Sequence, residues 1–217
     1  EEVYFGENGI IANAKPGAVL IDMTTTSPKL SERIYAEAKP RGISALDAPV
    51  SGGDSGAKAG TLSIMVGGDR EAFDACQDVF AAMGTNIIYE GGAGKGQHTK
   101  MANQIALAGA VASVSEAIAY ARRTGLDVET MLASISKGAA GSWQMTNNAP
   151  KMVAGDMAPG FFIKHFIKDM AIADEEAKAA GLTMPVLEEV LEMYRELDRR
   201  GEGDLGTQAV IHYFDEK

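Results

Sequence analysis

Gly94-Lys95-Gly96-Gln97-His98-Thr99-Lys100-Met101-Ala102-Asn103-Gln104 decides the fold: a glycine-rich turn runs straight into a long apolar helix. The helix is expected to begin near Gln97, and Ile, Leu, Ala, Gly and Val dominate it as far as Ala119. Three polar side chains, Lys100, Asn103 and Gln104, interrupt that surface. At i, i+3 and i+4 they are neighbours on one face and can converge on one small object. Lys100 falls in the first or second turn, where the positive end of the helix dipole disfavours an ammonium. It is therefore a candidate proton donor and acceptor. The plainer alternative is a lysine that simply reaches solvent.

Outward from this turn the chain divides. On the N-terminal side, short β-rich runs alternate with helical patterns, as in the units of an α/β sheet. Residues 18–23, 44–50, 61–67 and 86–89 read as strands of a mixed sheet, with helices over 28–38 and 70–83. On the C-terminal side no β-rich run appears, and helical patterns are broken only at Gly125, 138–141, Pro159-Gly160, 181–185 and 201–206. The fold class is α/β plus all-α, with a sheet domain over 1–91 and a helical domain over 92–217. Ligand sites favour clefts between such domains.

The 217 residues, 46% hydrophobic and 23% charged, suffice for one large core or two smaller ones. A net charge of −10 argues against affinity for nucleic acid or an anionic membrane, since backbone binding needs a basic surface. The apolar run 105–119 is interrupted by Ser113, Ser115 and Glu116, is too short to span a bilayer, and reads as a buried helix. The single Cys76 excludes an internal disulfide and fits a reducing compartment such as the cytoplasm. His98, His165 and His212 lie far apart without partners at metal-ligand spacing, so no metal is expected. The chain opens with Glu1-Glu2-Val3 and no methionine, which suggests a fragment of a longer protein.

Several loops carry candidate chemistry. Ser51-Gly52-Gly53 follows a strand, and its backbone N–H groups can form a nest for an anion such as a carboxylate. Taken by itself, a tight turn that needs glycine for its dihedrals is the simpler reading. Thr24-Thr25-Thr26-Ser27-Pro28 leaves the carboxyl end of a strand, where open α/β sheets bind ligands. Ser27 before Pro28 makes a good N-cap, which does not account for three threonines. Lys168, beside Asp169 at the start of a later helix, is either a surface ion pair or a second cation for the cleft. Trp143 lines a pocket wall or packs in a core.

Taken together, the strand-exit threonines, Asp47-Ala48-Pro49-Val50-Ser51-Gly52-Gly53, Gly60-Thr61-Leu62, residues 94–104 and Lys168-Asp169 resemble the β-hydroxyacid dehydrogenase family. The resemblance spans essentially the whole chain. It implies a Rossmann-type domain that binds NAD or NADP, a helical domain that contributes to a homo-oligomer, and a small carboxylic acid as substrate. It makes Lys100 the acid/base that exchanges a proton with the substrate oxygen as a hydride moves to or from the nicotinamide. Ser51, Gly52 and Gly53 would hold the substrate carboxylate and Asn103 the region of the hydroxyl. Gln104 stands where some relatives have a second asparagine. Thr25 and Lys168 match positions that contact the cofactor.

Leu107 stands where a phosphogluconate dehydrogenase carries a glutamate, so decarboxylation of a sugar acid is not expected. Lys100 itself favours alcohol and aldehyde chemistry over imine reduction. No G-x-G-x-x-G turn precedes Val3, so half of the cofactor site is expected to be missing and activity to be weak or absent. The alternatives are a non-catalytic dimerisation module, or a succinic semialdehyde or imine reductase of the same fold.

Overall fold

The structure, a computed structural model, describes residues 1–215. Two compact units divide the chain, Glu1–Ala102 and Asn103–Lys217.

The first unit opens with two single-turn helices, α1 (Glu2–Phe5) and α2 (Ile10–Asn13), ahead of strand β1 (Val19–Asp22). Helix α3 (Pro28–Ala38) starts where Ser27 Oγ accepts the Leu30 N–H at 3.2 Å, with proline at its first position. Strands β2 (Ser44–Asp47) and β3 (Val50–Ser51), helix α4 (Gly53–Ala59), strand β4 (Leu62–Gly68), helices α5 (Arg70–Ala75) and α6 (Gln77–Ala81), and strand β5 (Gly84–Gly91) follow. β1 is parallel to β2 and β5 is parallel to β4, while β2 and β3 both pair antiparallel with β4. The sheet is mixed, as the sequence implies.

Successive strand side chains face opposite ways, and the two cores follow from that. Ala45 packs with Ile11, Ile34, Ala38 and Ile43 on one side. Leu46 packs with Ile64, Val66, Phe73 and Phe80 on the other. Each fully buried Leu, Ile or Phe contributes roughly 1.5–3 kcal/mol.

Two local expectations need correction, and one helix is unannounced in the sequence. The strand expected over 44–50 is two strands, because Pro49 has no N–H to give a ladder and Ala48-Pro49 steps the chain along β4. β2 thus pairs at Gly67 and Gly68, whereas β3 pairs at Ser63 and Ile64. The helix expected over 70–83 is interrupted at Cys76, whose ψ of 10° leaves the helical region. Finally, Gly53–Ala59 is helical, which two glycines and weak periodicity conceal.

Helix α7 (Lys95–Thr124) is 30 residues long and starts two residues before the expected position. By length and composition it is apolar enough to cross a membrane, contrary to the shorter run read from the sequence, and 44% of its apolar window is buried. Its residues Val111, Val114 and Ile118, at helical spacing, enter the core of the second unit.

The second unit continues with α8 (Val128–Ile135), α9 (Trp143–Asn147), α10 (Ala149–Ala154), α11 (Ile163–Ala179) and α12 (Pro185–Arg199). A buried 3₁₀ turn, Thr207–Ile211, leads into α13 (His212–Asp215). Phe166 of α11 meets Tyr194 of α12 edge to face at 5.1 Å. The Tyr194 hydroxyl donates to the Thr207 carbonyl at 2.6 Å, which fixes the 3₁₀ turn against α12. Among the described residues of this unit the only β-pairing is the isolated bridge of Phe162 with Gly206. The class is α/β followed by all-α.

Candidate active site

Lys100 is 7% exposed, and its ammonium donates to the Val50 carbonyl at 2.9 Å. Burial rules out the solvent-reaching alternative. The hydrogen bond lands one residue ahead of Ser51-Gly52-Gly53, where Gly52 (φ 132°) and Gly53 (φ 62°) adopt a backbone that only glycine takes readily. α4 begins at Gly53, and the leading N–H groups of a helix have no carbonyl partner within it. A small anion would find donors there.

The start of the lysine's helix is fastened by Asp47 at the end of β2. Its buried carboxylate accepts the Gly94 N–H at 2.8 Å and the Gln97 N–H at 2.9 Å. Burial pushes the Asp47 carboxyl above its ordinary value, and the Gly94 and Gln97 hydrogen bonds hold it back. A Cβ placed on Gly67 would lie 2.6 Å from Asp47 Oδ1, and one on Gly96 2.6 Å from the Asp47 carbonyl oxygen. Glycine is required at both positions for helix and sheet to approach this closely.

Gln97 is 0% exposed and turns both ends of its amide to the loop after β1. The Thr26 N–H donates to its Oε1 at 3.1 Å, and its Nε2 donates to the Thr24 carbonyl at 2.8 Å. Thr24 is held again from below, its N–H and hydroxyl both donating to Asp22 Oδ1. Half-buried Thr25 lies between these anchors at the carboxyl ends of parallel β1 and β2. That is the place a nucleotide occupies in an α/β sheet, and a loop held at fixed height with a hydroxyl and backbone groups fits one.

In the second unit, Asn103 Nδ2 donates to Gln104 Oε1 at 2.8 Å, and Gln104 Nε2 donates to Asp169 Oδ2 at 2.7 Å. Lys168 lies 3.0 Å from Asp169 Oδ1, a charge contact without hydrogen-bond geometry. The structure thus brings Asn103, Gln104 and Lys168 together through Asp169, which is 2% exposed. Gln104, 1% exposed and engaged at both ends, orients the Asn103 amide.

Trp143 is 64% exposed, so it packs in no core of this unit. The sequence offers Asp169 as a partner for Lys168 but announces neither its bond to Gln104 nor the roles of Asp47 and Gln97. An ionisable residue inside the apolar run 44–50 was the available signal for Asp47. Gln97 carries none, because its partners are more than 70 residues away. Among the described residues no group of three or more His, Cys, Asp or Glu is placed to hold a metal.

Comparison with known proteins points in one direction. Residues 1–91 match the family model for the NAD binding domain of 6-phosphogluconate dehydrogenase. Residues 94–214 match that for the NAD-binding of NADP-dependent 3-hydroxyisobutyrate dehydrogenase. The uncharacterized oxidoreductase YkwC of Bacillus subtilis is 57% identical over 97% of this chain and 73% of its own length. The 2-hydroxy-3-oxopropionate reductase of Escherichia coli is 37% identical over 97% of this chain and 72% of its own. The chain belongs to the β-hydroxyacid dehydrogenase family.

A solved structure of Mycobacterium tuberculosis 3-hydroxyisobutyrate dehydrogenase with L-serine superposes with a TM-score of 0.86 at 32% identity, covering 93% of this chain and 72% of that one. As a β-hydroxyacid dehydrogenase the chain is an NAD(P)-dependent oxidoreductase acting on CH–OH groups. NAD or NADP is its cofactor.

Proposed function

We propose that the chain interconverts a small 3-hydroxy acid and its semialdehyde, of the 3-hydroxyisobutyrate or tartronate semialdehyde kind, with Lys100 as the acid/base. The observation that carries this is the burial of Lys100 with its ammonium on the Val50 carbonyl, directly ahead of Ser51-Gly52-Gly53. Bound nicotinamide supplies or accepts the hydride. In oxidation, neutral Lys100 takes the hydroxyl proton as the carbonyl forms; in reduction, its ammonium returns a proton to the oxygen. Ser51, Gly52 and Gly53 hold the carboxylate through backbone N–H groups, which orients the carbon that exchanges hydride. Asn103 contacts the region of the hydroxyl, and Gln104 fixes the orientation of its amide. Thr25 and Lys168 contact the cofactor.

The same reading assigns 1–91 to cofactor binding and 92–217 to substrate binding and homo-oligomerisation, in the cytoplasm. The 2-hydroxy-3-oxopropionate reductase and the structure with L-serine support a small polar hydroxy acid. The test is a substrate panel of 3-hydroxyisobutyrate, tartronate semialdehyde, L-serine, succinic semialdehyde and a cyclic imine, each with both nicotinamides. Turnover of the imine alone would refute the hydroxy-acid assignment. Light scattering reads the oligomeric state.

A further inference from the structure

We propose that Gln97 is a positioning residue for the nicotinamide cofactor, its buried amide setting the height of the Thr24–Thr26 loop from the first turn of the lysine's helix. The inference rests on the reading that Thr25 contacts that cofactor.

The geometry is specific. Gln97 offers one donor and one acceptor from a single planar group, and both go to backbone atoms of the same three-residue loop, at 2.8 Å and 3.1 Å. Glutamate at this position would supply only acceptors when ionised, and methionine would supply neither strong donor nor strong acceptor. Pinning a glutamine in one rotamer costs side-chain entropy. What offsets it is the pairing of two polar groups in an irregular loop, which would otherwise compete for solvent. The backbone of Gln97 is meanwhile held by Asp47 at 2.9 Å, so the clamp cannot drift along the sheet. The end of β1, the end of β2 and the first turn of α7 therefore meet at one residue. Lys100 follows it on α7 by three residues, a little less than a full turn. Movement of the cofactor loop relative to the acid/base is blocked through one side chain.

The experiment compares this chain with Gln97→Met, which preserves length and apolar volume but removes both hydrogen bonds, and Gln97→Glu, which keeps an acceptor for the Thr26 N–H and loses the donor to Thr24. Hydrogen exchange at the Thr26 amide is read without cofactor. Dissociation constants for NADH and NADPH come from fluorescence titration, and KM for the hydroxy acid from initial rates. In Gln97→Met, Thr26 exchange is expected to rise at least about tenfold and the nicotinamide dissociation constant about tenfold, with the hydroxy-acid KM unchanged. Gln97→Glu is expected to keep Thr26 protection, since its carboxylate still accepts that N–H, and to weaken nicotinamide binding through the lost donor to Thr24; should the methionine variant not fold, this cofactor reading decides the matter.

Unchanged Thr26 protection in Gln97→Met would overturn the clamp. So would unchanged cofactor affinity beside a released Thr26, or an equal loss of cofactor and hydroxy-acid affinity, which marks general loosening. Thr25→Val separates the two layers. If it leaves nicotinamide binding untouched, the cofactor-loop reading fails and takes the proposal with it. If it weakens binding while both Gln97 variants do not, the clamp alone fails.

Discussion

The Lys100 ammonium and the Val50 carbonyl are joined by a 2.9 Å hydrogen bond that ties α7 to β3. A buried cation is costly unless its donors are met, and here one is met by the strand that runs into Ser51-Gly52-Gly53. The proposed proton-exchanging group and the proposed substrate loop thus share one mechanical reference.

Lys100→Met keeps much of the side-chain volume and removes the proton carrier. Turnover should fall by about 10²–10⁴, the usual worth of a positioned acid/base. Nicotinamide affinity should stay within about twofold, since this residue is not asked to bind the cofactor. Initial-rate kinetics with parallel fluorescence titration checks both halves, and near-normal turnover would end the assignment.

Asp47→Asn should destabilise the chain by about 1–3 kcal/mol, because an amide meets the Gly94 and Gln97 N–H groups with only one accepting oxygen. The pH dependence has a definite sign. Burial raises the folded-state value of this carboxyl, so its contribution is fully present below the unfolded value of ordinary aspartate and declines as pH rises through the folded value. The stability gap between wild type and variant should therefore narrow from the acidic side of that range toward neutrality. Urea unfolding at a series of pH values measures it, and a widening gap would contradict the burial argument.

Gly67→Ala and Gly96→Ala should each cost about 1–3 kcal/mol or more, since the added methyl meets Asp47 at 2.6 Å and rigid backbone surrounds it. Gly92→Ala is the control, with open space around the new carbon. Thermal unfolding should rank the control above both.

Asp169→Ala strands the Gln104 amide nitrogen in a buried site, for a loss of about 1–3 kcal/mol. Lys168→Ala should cost less than about 1 kcal/mol, because its side chain is 50% exposed. Comparable losses in denaturant unfolding would mean that the charge contact, not the buried amide bond, holds this network.

Much of this was legible in the chain. Ser27-Pro28 marks the start of α3 because capping chemistry is local, and apolar runs mark β1 and β4 because strand pairing buries them. The helix of Lys100 is legible from its glycine turn and its length. The polar knot beneath it is not. Asp47 and Gln97 owe their roles to partners 47 to 73 residues away, and nothing in their own neighbourhoods announces those distances. Pro49 and Cys76 misled for a related reason. A strand or helix pattern survives in sequence where a step along β4 or a turn at one residue breaks it in space.

The close approach at Gly67 and Gly96 has a practical consequence for anyone evolving this enzyme. Libraries screened by product formation will return both positions as intolerant, side by side with Lys100, and a heat map of activity will draw them as a single functional hot spot. Only when the yield of folded protein is scored in parallel will the map separate. The glycines will then fall out with expression, and on the role proposed for it the lysine will remain as a position whose variants accumulate normally and turn over poorly.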